Sequence, residues 1–187
     1  SALVKCTEEW ILFLDCDEVV SDELKKKIIE KVKSPEAEGY IINRKTYYMG
    51  RFLKHVWQPD WKLRIVKKSS KPTWEGYDPH DVLNINGSIK KMDGDLYHYS
   101  YRNIEDHFYK TVKYAKIFAQ SHYERGQKFK WHKSLLNPVS AFVKVFFVQR
   151  GFLDGYRGLI IAASSFTYTF LKYTFLWELE RHNGKHL

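Results

Sequence analysis

The sequence predicts an α/β protein, α+β over this stretch of chain, on three observations. A short apolar run, Trp10 to Leu14, lacks polar alternation and leads into a capped helix. Residues 39 to 66 are dense in β-branched and aromatic side chains. From Asn103 onward apolar residues return at helical spacing. Two regions follow: 1–102, mixed, and 103–187, helical. At 187 residues and 44% hydrophobic composition, the chain is long and apolar enough for a real core.

The elements follow in order. Trp10 to Leu14 reads as a buried strand, central and parallel, because neither face is polar. Ser21 is a helix cap, with Asp22 and Glu23 in the first turn. The helix runs to about Val32 on a face of Leu24, Ile28, Ile29 and Val32, and Ser34-Pro35 ends it. Tyr40 to Asn43, Thr46 to Met49 and Lys62 to Val66 read as strands, with a turn at Gly50-Arg51. Residues 74 to 81 read as a loop. Ile89 to Met92 and Leu96 to Tyr99 read as two further short strands.

Asn103 caps a helix to about Tyr123, with Phe108, Val112, Ala115 and Ala119 as its apolar face. Asn137-Pro138 predicts the start of the next helix, ending near Gly151. A last helix covers about Gly155 to Glu180. Its apolar stretch carries Ser164, Ser165, Thr167, Thr169, Lys172 and Thr174, so packing is favoured over a membrane span.

The net charge of +9 points to an anionic partner. Its clusters, Lys25–Lys27, Lys67–Lys71 and Lys128–Lys133, form no stripe that argues for nucleic acid. Two cysteines without CxxC spacing, Cys6 and Cys16, argue for a reducing compartment and against a zinc knuckle.

The chemistry gathers at Asp15 and Asp17, one residue apart where the apolar strand ends. Ligands of open α/β sheets bind at that end of a strand. Two chemistries suit the pair. One is phosphoryl transfer of the haloacid-dehalogenase type, with Asp15 as nucleophile and Asp17 as acid/base. A later Ser or Thr strand end and a second regular βαβ half are missing for it. The other is a divalent cation bridging the carboxylates to a nucleotide diphosphate. A third reading, outside catalysis, is a basic module that docks on a membrane.

Beyond the pair, the chain resembles family-2 glycosyltransferases of the lipopolysaccharide-core β-glucosyltransferase type. The resemblance runs through "WILFLDCDEVVSDEL", "GYIINRKTYYMGRFLKHVWQPDWKLRIVKK", "WEGYDPHDVL", "LYHYSYRNIEDHFYKTVKYA" and "RGFLDGYRGLIIAASSFTYTFLKYTFLWE". It implies the C-terminal part of a GT-A nucleotide-diphospho-sugar transferase fold, followed by a mostly helical region. It implies inverting, metal-dependent transfer from a nucleotide-sugar to a lipid-linked saccharide acceptor of the bacterial envelope. The cation would be Mg or Mn, the setting cytoplasmic, on the inner membrane face, with no nucleic acid as partner.

The family's roles fall on particular residues. Asp15 and Asp17 take the DxD positions that hold metal and donor. Asp81, after His80, stands where the family usually has Glu and is implied as general base. His98 is implied as a further metal or diphosphate contact, and Arg64 as a donor contact. Arg51, Asp60, Trp74 and His80 are implied around the substrate. Bland alternatives remain: His98 as a cap, Trp74 as a core anchor, Arg51 and Arg64 as surface ion-pair partners, Glu18 as a solvated helix-start carboxylate.

The resemblance also implies β/α units before the DxD pair, and only Ser1 to Glu9 precede the strand. The expectation is a C-terminal portion, inactive in transfer without the missing half, which either covers the open strand edge by self-association or holds the strand in an arrangement unlike the family's.

Overall fold

The computed structural model describes residues 5–75 and 82–182. The chain divides into two compact units: Ser1–Tyr47 with Pro59–Ser100, and Tyr48–Gln58 with Tyr101–Leu187.

The first unit is built on a mixed sheet. Its strands are β1 (Trp10–Leu12), β2 (Glu18–Val20), β3 (Gly39–Tyr48), β5 (Trp61–Lys67) and β8 (Ile89–His98), in the order β1-β5-β3-β8-β2. The β3–β8 pair is parallel and the others are antiparallel. This agrees with the expected α+β class. The first strand differs from expectation. Among the described residues β1 pairs antiparallel with β5 alone, at one end of the order. Nor is the run buried throughout: Trp10 flanks one cluster and Ile11 and Phe13 belong with another, while Leu12 and Leu14 are exposed, as suits an edge strand.

Alternation sorts the core onto two faces. Leu24, Tyr40, Ile42, Ile65, Met92 and Leu96 form one cluster, flanked by Trp10 and Ile28. Ile11, Val66 and Leu83 form another, flanked by Phe13 and Leu63. The neighbours Trp10/Ile11 and Ile65/Val66 split between the two. Helix α1 (Asp22–Lys33) closes the first face through Leu24, and the Ser21 hydroxyl caps it by accepting from the Leu24 amide. The hairpin of β6 (Thr73–Glu75) and β7 (Val82–Asn84) supplies Leu83 to the other. Trp74 and Glu75, expected in a loop, thus lie on a strand.

Where the sequence suggested two strands at 89–99, the structure has one, β8, with an irregularity inside it. Its register with β3 passes from Ile42↔Met92 to Asn43↔Asp95, so Asp93 and Gly94 are extra. Gly94 has φ +100°, and a Cβ there would lie 2.8 Å from the Leu24 Cα. Helix α1 therefore approaches β8 only because this residue is glycine.

The second unit starts with Tyr48 and the short strand β4 (Arg51–Phe52) and continues with helices α2 (Ile104–Glu124), α3 (Trp131–Val143) and α4 (Tyr156–Arg181). Asn103 caps α2 as expected, accepting from the Asp106 amide. Its buried row is His107, Thr111, Ala115 and Ala119, one step around from the predicted face, and Val112 is exposed. His107 takes the core side because its ring bonds the buried Tyr48 hydroxyl at 2.7 Å. Helix α3 begins at Trp131, so Pro138 lies inside it and does not start it. A π-helical turn, Lys144–Val148, and a 3₁₀ turn, Gly151–Asp154, follow.

Asp154 organises this unit. Its side chain is buried, and its carboxylate accepts the amides of Lys54, His55 and Val56 at 3.1, 3.0 and 2.9 Å. The loop after β4 is thereby tied to the turn before α4. By length and composition α4 could cross a membrane. Here Ile161 and Ala162 pack with Tyr48, Leu53, Val56 and Val145, and Leu176 and Leu179 pack with Ala119.

Candidate functional site

The site gathers in the first unit, where the chain leaves β1. A tight turn carries Asp15 to Asp17, closed by the Glu18 amide donating to the Asp15 carbonyl at 3.1 Å. The Glu18 carboxylate answers by accepting the Asp15 amide at 3.0 Å. This reciprocal pair gives the acidic segment a defined shape.

Glu18 is not a solvated helix-start carboxylate. It opens β2, and its side chain is 0% exposed. A buried carboxylate needs a cation, and β5 provides it. Arg64 is likewise buried, not a surface ion-pair partner. One of its Nη atoms lies 2.5 Å from both the Glu18 and the Asp15 carboxylates. Arg44 of β3 flanks the same acids, 3.6 Å from Glu18 and 3.9 Å from Asp15. It is held from behind by Asp60, whose carboxylate accepts from its Nε at 2.8 Å. Two guanidiniums on adjacent strands thus face Asp15 and Glu18.

Asp17 points elsewhere. Its carboxylate is 39% exposed and lies 3.4 Å from Nε2 of His98 at the end of β8. The backbone draws them together, since the Tyr99 amide donates to the Asp17 carbonyl at 2.9 Å. Burial, then the Arg44 charge, lowers the His98 pKa below its ordinary value, against the opposing pull of Asp17. His98 is therefore neutral at neutral pH, with a ring nitrogen able to accept a proton or a metal.

Among the described residues no group of three His, Cys, Asp or Glu side chains could hold a metal ion by itself. A hard divalent cation at such a place would take one or two protein ligands and draw the rest from substrate phosphates. Asp17 and His98 offer two donors on a partly exposed surface, and Asp15 keeps 52% of its side chain exposed beside its Arg64 contact.

The remaining residues named from the sequence scatter. Asp60 shares the Arg44 ion pair and also lies 3.3 Å from Lys62. Trp74, on β6, is 44% exposed and meets Phe13 edge-on at 5.6 Å. Arg51 lies in the second unit, donating to the Asp154 carbonyl at 2.6 Å. His80 and Asp81 lie outside the described residues.

Sequence reasoning missed Glu18 and Arg44. A third acid directly after the pair, in a chain with Arg44 and Arg64 on flanking strands, was the available signal. A second polar layer was also missed. Asn43 donates to Asp95 at 2.9 Å and accepts the Asp60 amide at 3.1 Å, and Lys45 bonds Asp95 at 2.8 Å. It ties β8, the strand of His98, to β3, the strand of Arg44.

Comparison with known proteins adds an independent line. The family model "Glycosyl transferase family 2" matches residues 1–86. An uncharacterized glycosyltransferase of Rickettsia typhi is 28% identical over 167 residues, covering 83% of this chain and 57% of that protein. The lipopolysaccharide core biosynthesis glycosyltransferase LpsC of Rhizobium meliloti is 22% identical over 173 residues, covering 91% of this chain and 64% of that protein. An uncharacterized glycosyltransferase of Rickettsia conorii is 24% identical, covering 96% of this chain and 67% of that protein. The chain thus spans a little over half the length of the first of these relatives.

Proposed function

We propose, from the match of the glycosyl transferase family 2 model to residues 1–86, that the chain is part of such an enzyme and carries the cation and diphosphate end of a sugar-transfer site. The reaction is inverting transfer from a nucleotide-diphospho-sugar to a saccharide acceptor of the bacterial envelope, of the lipopolysaccharide-core kind. The name of the Rhizobium relative supports that acceptor class.

The observation that carries this reading is the division of labour in the acidic turn. Arg64 fixes Asp15 and Glu18, while Asp17 stands open beside a neutral His98. Asp17 and His98 would hold the cation together with phosphate oxygens of the donor. A bound divalent cation supplies charge neutralisation to the departing diphosphate. Arg44, paired with Asp15 and Glu18, adds positive potential beside the acidic turn. Asp81 is the base. It takes the acceptor's hydroxyl proton while the new glycosidic bond forms and the bond to the diphosphate oxygen breaks. The haloacid-dehalogenase reading is not favoured, because its nucleophile, Asp15, is the carboxylate that Arg64 occupies. We place the protein on the cytoplasmic side of the membrane, in keeping with Cys6 and Cys16 not being joined in a disulfide.

Calorimetric titration of the chain with uridine and guanosine diphosphates, with and without Mn²⁺, tests the reading. Binding of at least one nucleotide only in the presence of the cation, lost in Asp17→Ala, is the expected result. Equal binding without the cation, or an unaltered Asp17→Ala variant, overturns it.

A further inference from the structure

The second unit carries a surface that sugar transfer leaves unused. Residues 125 to 153 contain Arg125, Lys128, Lys130, Lys133, Lys144 and Arg150 and no Asp or Glu. The first acid after them, Asp154, is buried. In the same segment Trp131, Leu135, Leu136, Val139, Phe147 and Val148 are each more than half exposed. Trp131, Leu135, Val139 and Val143 recur every fourth residue, so they form one row along α3. Pro138 and Val145 point the other way, into the unit. Helix α3 therefore packs through a narrow face and turns a wide apolar face outward, with Lys133 and Lys144 exposed as well.

We infer that this face is a docking surface for an anionic lipid bilayer, with α3 lying in the headgroup plane and the turns at 144–153 dipping beside it. Charge decides between the occupants. A second copy would bring six more cations against six, with no acid in the segment to pair them. A nucleic acid would leave the aliphatic row unburied. A bilayer with acidic headgroups satisfies both, taking apolar side chains below the headgroups while lysine stems reach back to the phosphates. Trp131 at the start of the row suits the interfacial depth. The candidate is α3 and not α4: Ile161, Ala162, Leu176 and Leu179 of α4 feed two internal clusters, and its outward Leu159, Phe166, Phe170 and Trp177 are each less than half exposed.

The inference does not rest on the donor chemistry, since the residues used lie outside the acidic turn. Co-sedimentation of the chain with vesicles tests it, comparing pure phosphatidylcholine with a mixture containing about a third phosphatidylglycerol. Binding to the anionic vesicles alone, weakened on raising salt from about 0.05 to about 0.5 M, is expected. Lys133→Gln with Lys144→Gln lowers the affinity about thirtyfold, at roughly fivefold per surface lysine. Leu135→Ser with Leu136→Ser lowers it at least about tenfold. Trp177→Ser, on α4, leaves it unchanged. The lysine pair keeps the test decisive if the leucine pair folds poorly. Equal binding to both vesicle types at high salt, or loss in Trp177→Ser with parent-like lysine variants, overturns the inference in favour of α4. A concentration-dependent dimer that Leu135→Ser/Leu136→Ser dissolves, without vesicle binding, overturns it in favour of self-association. Nucleotide titration of the same variants reports separately on the donor site.

Discussion

Replacing Arg64 by methionine isolates the electrostatic keystone of the acidic turn. Methionine keeps much of the stem's packing and removes the charge. Glu18, with a side chain 0% exposed, then keeps the Asp15 amide at 3.0 Å and Arg44 at 3.6 Å as its partners. Removing one partner of a buried ion pair costs roughly 3–5 kcal/mol, because the remaining charge is stranded. With Arg44 still in range the lower end applies, about 3 kcal/mol. In a chain of this size that is a fall of about 6–12 °C in Tm. Urea unfolding followed by circular dichroism measures it, with an unchanged slope indicating the same folded state. The double variant Arg64→Met/Glu18→Gln removes the stranded charge and recovers about 1–2 kcal/mol of the loss. A single variant with the parent's urea midpoint, or a double variant no more stable than the single, refutes the buried pair as the anchor of the turn.

Other expectations follow from the two units. Asp17→Asn weakens cation-dependent nucleotide binding on the order of tenfold to a hundredfold while leaving Tm within about 2 °C, since the side chain is partly exposed; calorimetry and melting on one sample check both. Burial lowers the His107 pKa to about 4, so the unfolded chain takes up a proton first on acidification. Stability is then full above the ordinary value near about pH 6.5, declines as pH falls towards about 4, and levels off after a loss of about 3 kcal/mol. In His107→Gln that decline is absent from the pH series of urea midpoints. Asp154→Ala strands three amides at once, costs about 3 kcal/mol or more, and exposes Lys54, His55 and Val56 to hydrogen exchange. Gly94→Ala costs about 2 kcal/mol or more, read from urea midpoints, because a φ of +100° and a contact 2.8 Å from Leu24 both oppose a Cβ.

The local signals read well where a short-range rule governed the outcome. Ser21 and Asn103 cap their helices because a hydroxyl or amide oxygen three residues before a free N–H has one good use. The span of α4 followed from its composition. Reading failed where a distant contact outvoted the local rule. Asn137-Pro138 looked like a helix start, yet α3 runs through it. The strand β8 looked broken at Asp93-Gly94, yet the glycine is there to admit Leu24. Val112 lost its place in the core to His107, whose partner Tyr48 lies 59 residues earlier in the sequence.

By itself the sequence determined the class of elements, the helix caps and the placing of Asp15 and Asp17 at the end of an apolar strand, since each depends on residues a few positions apart. Only the tertiary structure decided what surrounds the two aspartates. Arg64 reaches Asp15 from 49 residues away, and His98 reaches Asp17 from the far end of β8. A carboxylate's role is set by the charge and the dielectric around it. Those come from strands that the chain brings together only on folding.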